Sequence, residues 1–262
     1  MNNKGKIFLS VSKIATGITV TFIVYVLLGI LLSYWLGKSV NSIIINSIAI
    51  ITGALCGFFA THKLWEIKFL FGKTRKPHIV GVLVVVLSLG LTISCNTLFT
   101  YIPFDKLMPQ ITEYSAESYY TIPLWLSMVI YCGVTPLAEE IIFRVLLFRQ
   151  MKNIWPMWVA IVVSALVFGL YHGNVQQGIY AFIMGAAMAL VFGMTDNFIY
   201  TFLFHIVANA LVNLAFFYEN ISKFMYSIPG MIVGIILTAV GVAGIVLYLK
   251  ESKALAVNKE GK

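Results

Sequence analysis

Long apolar runs separated by short polar connectors dominate the chain. A hydrocarbon core about 30 Å thick is crossed by about 20 apolar residues in a helix, and eight runs have or approach this length. They cover residues 14–36, 41–61, 79–102, 122–148, 156–171, 178–194, 198–218 and 228–249. The pattern predicts an all-α fold, a polytopic membrane helix bundle of about eight transmembrane helices.

The connectors are too short to separate two folding units, and the sequence contains no internal repeat or low-complexity tract. We therefore expect residues 1–262 to form a single integral-membrane domain. The first apolar run is longer than the roughly 7–15 apolar residues of a signal peptide, and no small-residue cleavage site follows it. It is expected to remain as the first span.

The distribution of Lys and Arg over the connectors predicts which connectors face the cytoplasm. Only 11% of the residues are charged, and the net charge is +8. Lys and Arg cluster near the N-terminus, at 63–76, at 149–152 and at the C-terminus, whereas the connector 103–121 is acidic. The positive-inside rule then predicts a multi-pass protein of the cell membrane with both termini in the cytoplasm. The basic charge is explained by topology and contact with the lipid bilayer, so no nucleic-acid partner is expected.

A few ionisable or strongly polar residues interrupt the apolar spans. At mid-membrane, a charged side chain costs roughly 2.5–3.5 kcal/mol even on the most lenient scale, so it is retained mainly where it is paired or functional. Three such residues lie in the fourth predicted span, one closes the fifth, and two lie in the seventh. They are Glu139, Glu140, Arg144, His172, His205 and Asn209.

Helical spacing separates the two neighbouring glutamates. Glu140 lies four residues before Arg144, the favourable order for an ion pair within a helix. Glu139 has Phe143 at that spacing, so its carboxylate is free for another partner. Pro136 removes a backbone donor and is expected to kink the helix, which would open a polar pocket beside the carboxylates.

Each of these polar groups has a structural explanation when taken alone: an ion pair between helices, an interfacial histidine, or an interhelical hydrogen bond. Together they offer a base for water at Glu139 and donors for an oxyanion at His172, His205 and Asn209. Phe168 and His172 are four residues apart, as are His205 and Asn209, so each pair presents one helical face. The set is suited to hydrolysis of an amide bond.

Three short motifs carry a family resemblance. "EEIIFR" at 139–144, "FGLYH" at 168–172 and "HIVAN" at 205–209 resemble, in order and separation, the signature motifs of the CPBP family. This family contains CAAX proteases and bacteriocin-processing enzymes and is also called Abi. The resemblance covers about residues 122–217, which we identify as a catalytic core. A short chain of this kind resembles the bacterial members.

The resemblance implies an intramembrane endopeptidase. Glu139 and His172 would activate water, and His205 and Asn209 would stabilise the oxyanion. The supporting residues would be Glu140, Arg144 and Phe168. One departure from the family pattern is Val145, where many members have glycine directly after the motif arginine.

The substrate implied is a peptide or a membrane protein, with no prenyl group assumed. A non-catalytic bacteriocin-immunity or scaffold protein is the alternative. A transporter is disfavoured because the sequence has no inverted repeat. We expect no cofactor to be required, although zinc is possible, since Glu139, His172 and His205 would be an acceptable ligand set. No HExxH motif is present. No sequence feature specifies an oligomeric state.

Overall fold

A computed structural model describes residues 3–63, 71–72, 74, 76–102, 122–173 and 175–260. Within these ranges the chain forms nine helices and no named strand. They are α1 (Asn3–Leu36), α2 (Ser42–Thr61), α3 (Pro77–Thr100), α4 (Leu124–Lys152), α5 (Met157–Tyr171), α6 (Val175–Thr195), α7 (Phe198–Phe217), α8 (Glu219–Met225) and α9 (Ile228–Glu260).

The predicted polytopic helical fold is confirmed. Seven of the nine helices in the described ranges are long and apolar enough to cross a membrane. The fifth predicted span differs, because α5 has only 15 residues and is about 22 Å long at 1.5 Å per residue, shorter than the hydrocarbon core. The connector 103–121 and most of 63–76 lie outside the described residues, and the side of the membrane on which each terminus lies stays a prediction.

The helix α4 lies at the centre of the bundle and packs against α1, α2, α5, α6 and α7. Every residue from 138 to 148 is buried. A helix that is buried on all sides needs either apolar side chains or polar side chains with partners around its whole circumference. The three charged residues of the first motif lie in this fully enclosed stretch.

Two parts of α4, residues 128–134 and 141–148, are wound more widely than an α-helix. At the end of the first, the N–H of Thr135 donates to the carbonyl of Ile130, five residues earlier. Such turns are rare and are frequently found at functional sites. Pro136 lies directly after Thr135. The kink at this proline and the polar pocket beside the carboxylates stay predictions.

The helices α1 and α9 flank the bundle, and each packs mainly on one neighbour, α1 on α2 and α9 on α3. Small residues allow these close approaches: a Cβ atom on Gly53 would lie 2.6 Å from the Thr21 carbonyl of α1, and one on Gly234 would lie 2.7 Å from the Ser94 hydroxyl of α3. The other faces of α1 and of residues 228–247 of α9 carry many exposed apolar side chains, as expected for surfaces that contact lipid.

Candidate active site

The ion pair predicted within α4 is present. The Arg144 Nε atom lies 3.0 Å from Glu140 Oε2, and neither side chain is exposed. The guanidinium carbon of Arg144 also lies 5.2 Å from the centre of the Phe168 ring, which a cation favours. Glu140 and Arg144 therefore neutralise each other inside the bundle, and Phe168 of α5 covers the cation.

His205 of α7 lies against both glutamates of α4. Its Nδ1 atom is 3.1 Å from Glu140 Oε1, and its Nε2 atom is 3.5 Å from Glu139 Oε2. Because an ionised carboxylate only accepts hydrogen bonds, the Nδ1–H group of the ring donates to Glu140. The 3.5 Å separation from Glu139 exceeds the usual N–H···O range of about 2.7–3.2 Å. The Glu140 contact therefore fixes the ring, while Glu139 is held less tightly.

The two neighbouring carboxylates consequently differ in how many contacts they make with neighbouring side chains. Glu140 is fully buried and contacts both Arg144 and His205, and Thr201 lies beside the same carboxylate. Glu139 keeps 8% of its side chain exposed, and in the described part of the chain its recorded ion-pair contact is with His205. Glu139 is the carboxylate with capacity to bind a further group.

His172 closes α5 and is half-buried. Its Nδ1 atom lies 2.8 Å from the Phe168 carbonyl, and since a carbonyl only accepts, Nδ1 carries the proton. In the neutral ring Nε2 is then an acceptor. The Phe168 ring makes edge contacts with both His172 and His205, at centroid distances of 4.8 and 6.0 Å. His172 is also near enough to interact electrostatically with Glu139.

Asn209 lies one turn after His205 on α7, and its Nδ2 atom donates to the Tyr131 carbonyl at 2.7 Å. Tyr131 belongs to the first widened segment of α4. The structure therefore brings the polar groups of spans four, five and seven into one region. Asn209 is hydrogen-bonded to the backbone of α4, and the Glu139 carboxylate lies 3.5 Å from His205 Nε2.

Sequence analysis missed two buried polar residues of this region. Asn213 accepts a hydrogen bond from the Ser127 hydroxyl at 2.8 Å, and its Nδ2 atom lies 3.2 Å from the Met128 sulfur. Asn213 follows His205 and Asn209 at intervals of four, so helical periodicity could have identified it. Ser127 carries no comparable signal, because a single serine near a span end is common.

The possible zinc ligands do not gather around one point. A catalytic zinc is held by three protein ligands, and in the described ranges no group of three His, Cys, Asp or Glu side chains is placed to hold a metal ion. Glu139 and His205 are adjacent, and the Nδ1–H group of His172 pairs with the Phe168 carbonyl, which leaves Nε2 of His172 as the nitrogen that could bind a further group. Zinc binding by these three residues stays a prediction.

Part of the chain is similar to a known family. Residues 121–211 match the family model described as "Type II CAAX prenyl endopeptidase Rce1-like". Over that segment the match supports the resemblance to the CPBP family of CAAX proteases. No curated protein and no solved structure matches the chain. The family points to a multi-pass intramembrane protease whose substrate is a peptide or protein in the membrane.

Proposed function

We propose that this protein is an intramembrane endopeptidase that hydrolyses a peptide bond with water activated by Glu139. The observation that carries the proposal is the contrast between the two carboxylates. Glu140 is neutralised by Arg144, whereas Glu139 has His205 Nε2 at 3.5 Å and keeps part of its side chain exposed. A general base needs this combination of a fixed position and a free oxygen.

The proposed reaction assigns one step to each of these groups. Glu139, assisted by His172, takes a proton from water, and the water oxygen attacks the carbonyl carbon of the scissile bond. The oxyanion accepts hydrogen bonds from protonated His205, through Nε2, and from Asn209. Glu139 then passes its proton to the amide nitrogen, and the C–N bond breaks to give a carboxylic acid and an amine. The acid proton then passes to the amine, which leaves a carboxylate and an ammonium group. Each oxyanion donor is expected to contribute about 10²–10³ in rate.

The Glu140–Arg144 pair has a supporting role in this mechanism. Glu140 holds Nδ1 of His205, which leaves Nε2 directed towards Glu139. Phe168 packs against the cation of Arg144 and against both histidine rings. This pair therefore sets the orientation of the imidazole and takes no proton from the substrate.

The proposed substrate is a peptide or a membrane protein, and the mechanism requires no prenyl group. We also propose a single integral-membrane domain over residues 1–262, with the catalytic core at 122–217, and a cell-membrane protein of bacterial type with both termini cytoplasmic. The steps above use no metal, so cleavage should persist after treatment with a chelator. Loss of cleavage with the chelator and its return with zinc would contradict this mechanism.

The test is cleavage of a quenched membrane-inserting peptide by the purified protein in liposomes. Wild type should cleave, and Glu139→Gln should lose about 10²–10⁴-fold in rate, because the amide keeps the shape without the base. Glu219→Gln is the matched control, because Glu219 lies in an exposed ion pair with Lys223 and should cleave at the wild-type rate. Cleavage by Glu139→Gln at the wild-type rate would instead favour the non-catalytic immunity or scaffold function.

A further inference from the structure

The Phe168 ring of α5 lies among the polar side chains of the candidate active site. Its centroid is 4.8 Å from the ring of His172, 6.0 Å from that of His205 and 5.2 Å from the guanidinium carbon of Arg144. A further contact joins it to the Phe143 ring of α4, at 4.8 Å between centroids. Only 2% of Phe168 is exposed. In so closely packed a region, any displacement of the ring must be accommodated by these neighbours.

The space beside this ring is provided by Gly185 of α6. A Cβ atom on Gly185 would lie 2.8 Å from Cδ1 of Phe168 and 3.5 Å from Cα of Ala165. Carbon atoms in contact are about 3.5–4.0 Å apart, so a methyl group at this position would displace the Phe168 ring by about 0.7 Å. The separation from Ala165 is an ordinary contact. The Phe168 ring is therefore the group that limits the space at Gly185.

The helices α5 and α6 also meet closely at a second point near the ring. A Cβ atom on Gly169, the residue after Phe168, would lie 2.6 Å from the carbonyl oxygen of Gly178. This approach brings backbone against backbone, so it fixes the distance between the two helices. A methyl group at Gly185 is therefore expected to move the Phe168 ring relative to the imidazoles and the guanidinium, with little separation of the helices.

We propose that Gly185 is a positioning residue: because it carries no side chain, the Phe168 ring can lie against both imidazoles and the Arg144 guanidinium, which fixes the imidazoles for the reaction. Gly185 lies on α6, outside the three sequence motifs. The catalytic part of this inference rests on the proposed function. The placement of the Phe168 ring by Gly185 is a property of the fold and holds whether or not the protein cleaves peptides.

The first test is NMR of the histidine side chains in liposomes, because an aromatic ring shifts the signals of nuclei close to it. Two of the four histidines, His172 and His205, lie beside Phe168. The other two, His62 and His78, lie at the end of α2 and in α3. Gly185→Ala should shift the signals of the first two and leave those of the other two unchanged. Unchanged signals of the first two, or a shift of all four, would overturn the inference.

Gly193→Ala is the matched control, with the same substitution on the same helix about two turns further along. The atom closest to its Cβ would be Cε of Met157, at 2.6 Å. This atom is the end of a flexible side chain that can turn away. Cζ of Phe148, at 3.2 Å, needs only a small shift. All four histidine signals should stay as in wild type, and the shifts of Gly185→Ala appearing here would overturn the assignment to Gly185.

The second test is a double-mutant cycle on thermal unfolding in detergent. Gly185→Ala should lower Tm, because overpacking an enclosed region is destabilising. In a Phe168→Ala background the Cδ1 atom is absent, so the same substitution should leave Tm unchanged or raise it. Equal losses of Tm in both backgrounds would overturn the inference. If Phe168→Ala gives no folded protein, Phe168→Val, which also lacks a Cδ1 atom, is the background.

The third test separates positioning from structural support through the kinetics of cleavage. Gly185→Ala should lower kcat about 10–10²-fold, because a misplacement of about 1 Å can cost about 10²-fold. KM should stay near the wild-type value, and Gly193→Ala should keep the wild-type kcat. An unchanged kcat for Gly185→Ala would overturn the positioning role. If wild type shows no cleavage, the proposed function fails, while the NMR signals and the unfolding cycle still decide whether Gly185 places the ring.

Discussion

The central helix α4 and the flanking helices α1 and α9 differ in how far neighbouring helices enclose them. In the apolar stretch of α4 that is long enough to cross a membrane, 56% of the residues are buried. In the corresponding stretches of α1 and α9 the share is 11%. A helix facing lipid needs only apolar side chains and small residues where it meets its neighbour. A helix enclosed by protein that also carries charge must give each charge a particular partner.

This difference predicts that substitutions in the two regions have different consequences. In α4 one side chain often serves both stability and chemistry, because Glu140 neutralises Arg144 and also holds the His205 ring. The helices α1 and α9 pack on α2 and α3, and at one exposed position Glu251 of α9 also forms an ion pair with Lys76. Substitutions of the Glu140–Arg144 pair should therefore affect folding and catalysis together, whereas substitutions at the periphery should affect stability alone or have no measurable effect.

The largest effect is expected from breaking the central ion pair. Arg144→Met leaves Glu140 buried without its cation, which typically costs about 3–5 kcal/mol. We expect a large fall in the thermal midpoint in detergent, low protein yield and no cleavage. Lys223→Met, which breaks the exposed pair with Glu219, is the control and should alter stability by no more than about 0.5 kcal/mol. A midpoint for Arg144→Met near that of the control would contradict the central role of the pair.

An intermediate effect, on stability alone, is expected at the periphery. Gly53→Leu would force a side chain against the Thr21 carbonyl of α1, and overpacking typically costs about 1–3 kcal/mol. Unfolding should occur at lower temperature, while kcat of the folded fraction stays at the wild-type value. A loss of kcat larger than the loss of folded protein would show that the α1–α2 contact also controls the catalytic region.

The smallest effect is expected on the exposed face of α9. Ile232 is 52% exposed, and shortening it leaves an apolar surface suited to lipid. Ile232→Ala should keep the free energy of unfolding within about 0.5 kcal/mol of wild type and leave cleavage unchanged. Yield, midpoint and rate measured together check this expectation. A clear loss in any of the three would indicate a protein contact on this face.

Much of this architecture follows from the sequence. Runs of apolar residues predicted eight of the nine helices in the described ranges and their order, without the short α8, and spacing of four residues correctly paired Glu140 with Arg144. The cost of charge in lipid correctly indicated that the polar groups of α4 and α7 would meet, as the 3.5 Å contact between Glu139 and His205 shows. These features depend on composition and on regular helical geometry, which a single sequence reveals.

Other features depend on irregular geometry. The widened turns of α4 shift the carbonyls relative to an ideal helix, so spacing could not predict that Asn209 would pair with Tyr131. The contact between Asn213 and Ser127 depends on the register between two helices, which local pattern does not specify. The short length of α5 also departs from the expected full span.

The most direct test compares the two neighbouring glutamates in cleavage and thermal unfolding, measured on the same preparations. Glu139→Gln should lose about 10²–10⁴-fold in cleavage rate while its midpoint stays near wild type, because the contact of Glu139 with His205 is long, at 3.5 Å. Glu140→Gln should lose cleavage and about 3–5 kcal/mol of stability, since Arg144 is left buried without a partner. If both variants lost stability equally, or if Glu139→Gln cleaved like wild type, the separation of chemical and structural roles between these residues would be contradicted.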